Sequence, residues 1–391
     1  MRLIVLNSQR IFVCYILILM LFFFKSVNVS FLWHVPYSLI YILGWIVSLL
    51  YYKSHARFLI TCKFDIILLY LFVLVKCYII YKGIPCQYML FAFCGMLPII
   101  LLIIESNLLK NEIFNMIVNI YCWILFISLI AWILFLMGIE LPNFSTSWEG
   151  HYEYKNYFLF LYNKGDDNSI FPRFSSVFLE PGHLAMITSF ILWVKYKDLS
   201  RFQLIILISS IVFSFSLAGY ILCVFLLFFY LLLNIRLSLL IILFSIGGII
   251  GVALDYVKIE NSVFDQYILG RLQISDSRGI AGNNRTSEDF DFYYDRLSGT
   301  NTILYGVGLD LYKREFQGGN AGYKVFIVQY GYIGLILTFL FYFLYMLRHK
   351  SRLLLILFFL YGLSFFQRAY PFWEAWLIPY ICSMGFYNKK L

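Results

Sequence analysis

Apolar runs long enough to cross a hydrocarbon core recur along nearly the whole chain, and no other feature restricts the fold as strongly. A helix needs roughly 17–25 predominantly apolar residues to span a bilayer. Runs near that length lie at about 11–26, 30–52, 64–81, 87–104, 112–138, 181–196, 202–216, 218–235, 237–254, 325–347, 352–367 and 372–387. Hydrophobic residues fill 62% of 391 positions and charged residues only 13%, too few to cover a soluble protein of this size. The pattern predicts an all-α integral membrane protein, a polytopic bundle of about twelve transmembrane helices in one membrane domain over 1–391. The runs at 202–216 and 352–367 are short, so the expected range is ten to thirteen. Arg2 and Arg10 before Ile11–Phe24 look like the start of a signal peptide. No small-residue cleavage site follows, and a retained first helix is expected.

Lys and Arg set the expected orientation. With the N-terminus inside, the inner segments carry fifteen of them, and the short outer connections only three, Lys25, Lys82 and Arg368. The positive-inside rule then places both termini on the inner side and both long polar loops outside. The net charge of +9 follows from this asymmetry and does not point to nucleic acid as a partner. The eight cysteines lie mostly in apolar runs and none lies in a large loop, so neither a disulfide framework nor a cysteine metal site is expected.

Two large polar loops, 139–180 and 255–324, face outward in this topology. The second holds ten acids and eight bases, and helical turns are expected around Ser287–Leu297. Neither loop has the pattern of a soluble domain with its own core, so each must pack on the bundle or on itself.

The candidate chemistry lies in these loops. The run from Phe171 to Ala185 places Arg173, Glu180 and His183 at the outer mouth of a span, where an ionisable group usually needs a partner or ligand. Glu180 before Pro181 also suits a helix start, with its charge at the positive end of the dipole. Helix starting gives no reason for Arg173. In the second loop Arg271, Arg278, Arg285 and Arg296 recur at intervals of 7, 7 and 11. Guanidinium forks suit pyrophosphate oxygens, although Asp276, Glu288, Asp289 and Asp295 could equally pair with them. Asp289-Phe290-Asp291 matches the Asp-x-Asp element of some sugar transferases, a weak signal among ten acids. The histidines show no metal-ligand spacing, and no phosphate-cradling loop, nucleophile elbow or dinucleotide fingerprint is present.

The stretch Arg173…Phe178-Leu179-Glu180-Pro181-Gly182-His183-Leu184-Ala185 resembles the Arg…Phe-x-Glu-Pro-x-x-Leu-Ala element of Wzy-type O-antigen and capsule repeat-unit polymerases. Ser214–Tyr220 is similar to the Ser-rich turn of that family, and Arg285 with Gly306-Val307-Gly308 to its Arg…Gly-x-Gly element. Asn320 and Val328–Leu335 match the pattern opening the span after the large loop. The elements run in order over about 170–340. The resemblance implies a membrane glycosyltransferase that joins undecaprenyl-pyrophosphate-linked oligosaccharides on the outer face. It also implies a flippase and a chain-length regulator as protein partners. Arg173 and Arg285 would hold the pyrophosphate leaving group, and Glu180 would deprotonate the acceptor hydroxyl. His183, Arg271, Arg278, Arg296 and Asn320 would contact substrate, with no metal or other cofactor. Leu217-Ala218 stand where relatives often carry an Arg, so the Ser-rich turn is given no role.

Two other classes compete with this reading. A flippase of lipid-linked sugars also has about a dozen spans, but tends to carry charges within them; here Lys76 is nearly the only such charge. The related O-antigen ligases use a His in the large outer loop, and residues 255–324 contain none.

Overall fold

The computed structural model describes residues 2–55, 63–148, 152–166, 171–233, 274–275, 279–280, 286–316, 320–349, 351–369 and 372–387. The chain divides into two compact units: Met1–Tyr121 with Arg285–Leu391, and Cys122–Asn284.

The first unit is built from α1 (Arg2–Ser26), α2 (Tyr37–His55), α3 (Lys63–Gly83), α4 (Cys86–Cys94), α5 (Leu97–Ile104) and the first half of α6 (Asn107–Leu136). Its second sequence block begins beyond residue 285, and its helices take numbers after those of the other unit. The second unit holds the rest of α6, a sheet of β1 (Phe144–Trp148), β2 (Tyr152–Asn156) and β3 (Leu161–Asn163), then α7 (Pro181–Lys195), α8 (Arg201–Phe213) and α9 (Leu217–Leu233). The first unit resumes with α10 (Glu288–Ser298), α11 (Thr302–Tyr305), α12 (Leu309–Glu315), α13 (Tyr323–His349), α14 (Arg352–Gln367) and α15 (Glu374–Tyr387).

Among the described residues, five helical segments are long and apolar enough to cross a membrane: Gln9–Ser26, Phe64–Gly83, Cys86–Ile104, Asn107–Leu136 and Tyr323–His349. Helices at Arg201–Phe213, Leu217–Leu232 and Leu353–Phe366 are apolar but shorter, and the expected span 237–254 lies outside the described residues. With the three shorter apolar helices the described residues supply eight candidate spans, fewer than the twelve expected, and the protein is membrane-embedded. The surface of α3 gives the physical reason. It buries Leu68, Phe72 and Val75 on one face and exposes Ile66, Ile67, Tyr70 and Leu74 on another. Both faces are apolar, so only hydrocarbon satisfies the outer one.

Three expected spans differ in detail. The run 30–52 becomes a short 3-10 turn, Ser30–Leu32, and then α2. The run 87–104 is interrupted at Gly95-Met96, and Pro98 stands in the first turn of α5, where its missing N–H costs nothing. The run 325–347 is one helix broken at Gly331, whose φ is 70° and ψ 175°.

Tyrosine supplies much of the first unit's interior. Tyr15 stacks on Tyr51 at 4.2 Å and donates to the Pro98 carbonyl at 2.8 Å. Tyr342 stacks on Tyr361 at 3.9 Å, Tyr345 donates to Ile381 O, and Tyr380 donates to Tyr342 O. The hydroxyls of Tyr15, Tyr345 and Tyr380 thus find internal acceptors, as a waterless interior demands.

The all-α expectation needs one correction. The first polar loop folds as an antiparallel sheet in the order β1-β2-β3, with Phe144 opposite Asn156 and Tyr154 opposite Asn163. Alternation explains it: Tyr154 and Asn156 are buried while Glu153 is exposed. The β2–β3 turn is fixed by Asn156 Oδ1, which accepts from Phe158 N at 2.8 Å.

Candidate functional site

In the second unit, the stretch before α7 is pinned on two sides. Leu161 N donates to Ser176 O at 2.7 Å, and Ser175 Oγ donates to Leu161 O at 2.9 Å, tying the stretch to β3. Tyr154 OH donates to Leu179 O at 3.1 Å. On the other side Phe174 N donates to Phe213 O at 2.9 Å, at the start of the Ser-rich turn. Trp132 gathers Phe171, Phe174 and Phe213 around its ring, and Phe171 packs edge-on against Phe215. Gly219 in turn lies against the Ala185 methyl. The Arg173–Ala185 stretch and the Ser214–Tyr220 turn thus form one packed assembly. Ala218 is buried within it, a packing position rather than a place for a charge.

Arg173 and Glu180 are half-buried, and His183 is buried in the first turn of α7. Glu180 is the N-cap residue with Pro181 behind it, as expected, yet its side chain makes no cap hydrogen bond. Its carbonyl does the capping work, accepting from His183 N at 3.1 Å. Side-chain capping therefore does not account for a carboxylate at this position.

In the first unit, the second-loop elements interlock. Val307 N donates to Val328 O at 2.8 Å, and Gly308 N donates to Gln329 O at 3.0 Å. Gly306, Gly308 and Gly331 have φ of 71°, 84° and 70°. A Cβ on Gly306 would strike Gln329 O, and one on Gly331 would strike Leu304 O. Tyr78 OH clamps the junction from α3, donating to Tyr305 O and Tyr330 O, while Lys82 Nζ donates to Gly306 O at 3.0 Å. Asn320 Oδ1 accepts from Ser287 N at 2.7 Å, two residues after Arg285.

Ser287 caps α10, accepting from Phe290 N through its hydroxyl, and Phe290 packs with Tyr312 and Val328 in a small core. The described part of the second loop around Phe290 and Tyr312 thus packs on α13. Of the Asp-x-Asp element, Asp291 is taken up structurally, accepting from Lys324 Nζ at 2.6 Å and Thr286 Oγ1 at 2.9 Å, while Asp289 is exposed. Arg296 is exposed and lies over the Tyr293 ring at 5.8 Å, in the last turn of α10, where a cation suits the helix dipole. Burial pushes the Tyr293 hydroxyl up, the Glu315 charge adds to this, and Arg296 opposes it. Arg271, Arg278 and Arg285 lie outside the described residues.

The first unit also contains a cavity of about 690 Å³ that the loop motifs do not announce. Lys76 and Glu374 line it as an ion pair at 3.5 Å, and Lys76 Nζ also donates to Phe372 O at 3.3 Å. Tyr37, Tyr41, Tyr88 and Trp373 add aromatic walls, and Gly83 and Leu309 complete one rim. Lys25 lies over the outer side of the Tyr37 ring, 4.5 Å from its centroid. The solitary position of Lys76 in an apolar run was the one sequence signal for this site. Its partner, almost 300 residues away in the chain, had none.

Comparison with known proteins gives no match: no family model, no curated protein and no solved structure is similar to this chain.

Proposed function

We propose that the chain is a membrane glycosyltransferase of the Wzy type. It transfers a growing glycan from one undecaprenyl-pyrophosphate carrier to a sugar hydroxyl of a second lipid-linked repeat unit. The reaction takes place on the outer face of the bacterial cytoplasmic membrane, with both termini inside. The observation that carries this reading is pairwise assembly. The sequence elements on which the resemblance rests are far apart in the chain, yet pack two by two: the Arg173–Ala185 stretch on the Ser-rich turn, and Gly306-Val307-Gly308 on Val328–Gly331. Elements that fold as joint units are harder to attribute to chance matches in apolar sequence.

In this mechanism Arg173 and Arg285 hold the pyrophosphate and stabilise it as it leaves. Glu180 takes the proton from the acceptor hydroxyl. Arg271, Arg278, Arg296, His183 and Asn320 shape the surrounding surface, Asn320 by holding the backbone just after Arg285. Guanidinium charge neutralises the leaving group in this reading, so it calls for no further cofactor.

Deletion of the protein should leave single lipid-linked repeat units on the outer leaflet; normal long chains in such a strain would refute the proposal. Accumulation on the inner leaflet would identify a flippase instead. Replacing Arg173 or Arg285 by Lys keeps the charge but loses the fork, and should lower polymer yield about a hundredfold, as for loss of an oxyanion-type donor.

A further inference from the structure

Lys76 lies well inside α3, among residues that otherwise face apolar neighbours, and the mechanism above makes no use of it. An ionisable group within a transmembrane helix usually marks a ligand site or pathway, together with its partner. Here the partner is Glu374, and the pair lines the 690 Å³ cavity, a volume typical of small-molecule sites. We propose that this cavity receives the uncharged sugar portion of a lipid-linked repeat unit, with Lys76 and Glu374 bonding to its hydroxyls. The proposal rests on the polymerase reading for the source of that sugar.

Three observations point to sugar and away from phosphate or an acyl chain. First, the two charges cancel, so the cavity offers no net attraction to pyrophosphate, whereas an ammonium donor beside a carboxylate acceptor matches a polyhydroxyl ligand. Second, the pair is separated by 3.5 Å, longer than the roughly 2.7–2.9 Å of a tight charge-assisted bond, so both groups retain bonding capacity. An acyl chain would gain nothing from either and would bury them at a cost. Third, Tyr41, Tyr88 and Trp373 line the cavity, an aromatic composition suited to the C–H faces of a pyranose.

The cavity also adjoins the second-loop element. Leu309 on its rim directly follows Gly308, and Gly83 directly follows Lys82, which binds Gly306 O. A sugar held there lies beside the Gly-x-Gly turn of the motif that includes Arg285.

The test uses the full-length protein in nanodiscs and two ligands. One is the lipid-linked repeat unit extracted from a strain lacking the protein; the other is bare undecaprenyl pyrophosphate. Tyr88 is half exposed at 51%, so Tyr88→Ala leaves the fold intact, and Lys76→Met with Glu374→Gln removes the ion pair without leaving a buried charge alone. Each variant should weaken repeat-unit binding about tenfold and bare-carrier binding by less than about twofold, the loss of one hydrogen bond to a charged group. Equal losses for both ligands would make this a lipid or phosphate site and overturn the proposal. Unchanged binding of both ligands by every variant would overturn it too, while leaving the polymerase reading in place. If the unaltered protein binds neither lipid, both fall together.

Discussion

The two motif-bearing units solve the same problem by different means. In the first, the Gly-x-Gly turn and the break in α13 meet backbone to backbone, because glycines remove every Cβ from the contact. In the second, the Arg173–Ala185 stretch is held mainly by side chains: a tyrosine hydroxyl, a serine hydroxyl and a ring cluster around Trp132. A backbone junction tolerates no substitution, since any Cβ must displace a peptide group. A side-chain clamp degrades in steps as single contacts are lost.

The contrast can be broken most sharply at the glycines. Gly331→Ala and Gly306→Ala should each cost more than about 3 kcal/mol, through left-handed backbone and a clash with a carbonyl. The measurable result is loss of folded protein in a detergent melt. Gly219→Ala in the second unit sets a Cβ hard against the Ala185 methyl with Ile211 beside it, but needs no left-handed backbone, and should cost about 1–3 kcal/mol by overpacking. Equal melting losses at the three positions would erase the distinction.

Asn320→Ala leaves Ser287 N without its acceptor and should cost about 1–2 kcal/mol. Hydrogen exchange in α10 should quicken, with the second unit unaffected. Tyr154→Phe removes the bond to Leu179 O and should cost about 1 kcal/mol; faster exchange over residues 178–184 would confirm that this clamp yields gradually.

The smallest effect concerns Glu105, which lies buried between α5 and α6 and accepts from Tyr51 OH at 2.7 Å. Burial raises its carboxyl above the ordinary range, opposed by the hydrogen bonds from Tyr51 and Ser106 N and by the Lys110 charge. The folded protein therefore holds this proton more tightly than the unfolded chain. Its stability should rise as pH falls from neutral through the raised value, and level off below the ordinary carboxyl range. Glu105→Gln keeps the acceptor and should flatten that part of the melting-temperature profile.

Much of this was legible in one dimension. Apolar runs announced the membrane helices, Pro181 announced the start of α7, and Ser287 announced α10, because each signal acts within a few residues of where it stands. The sheet in the first loop was missed. Its strands are five, five and three residues long, and their alternation is hidden in a polar segment that a membrane reading treats as connection. The weak Asp-x-Asp match resolves at Asp291, which is a structural acceptor, a distinction made by Lys324 from a different helix.

The sequence alone determined that this chain lies in a membrane, since hydropathy over a helical length needs no partner to be read. It also marked the residues around Arg173, Glu180 and the glycine turn as unusual. Only the tertiary structure decided which of them meet. That Gly306 faces Gly331, that Phe174 is tied to Phe213, and that Lys76 has Glu374 to balance it all depend on contacts across tens to hundreds of residues. Such contacts leave no local pattern, because the physics that selects them is packing and charge pairing in the folded interior.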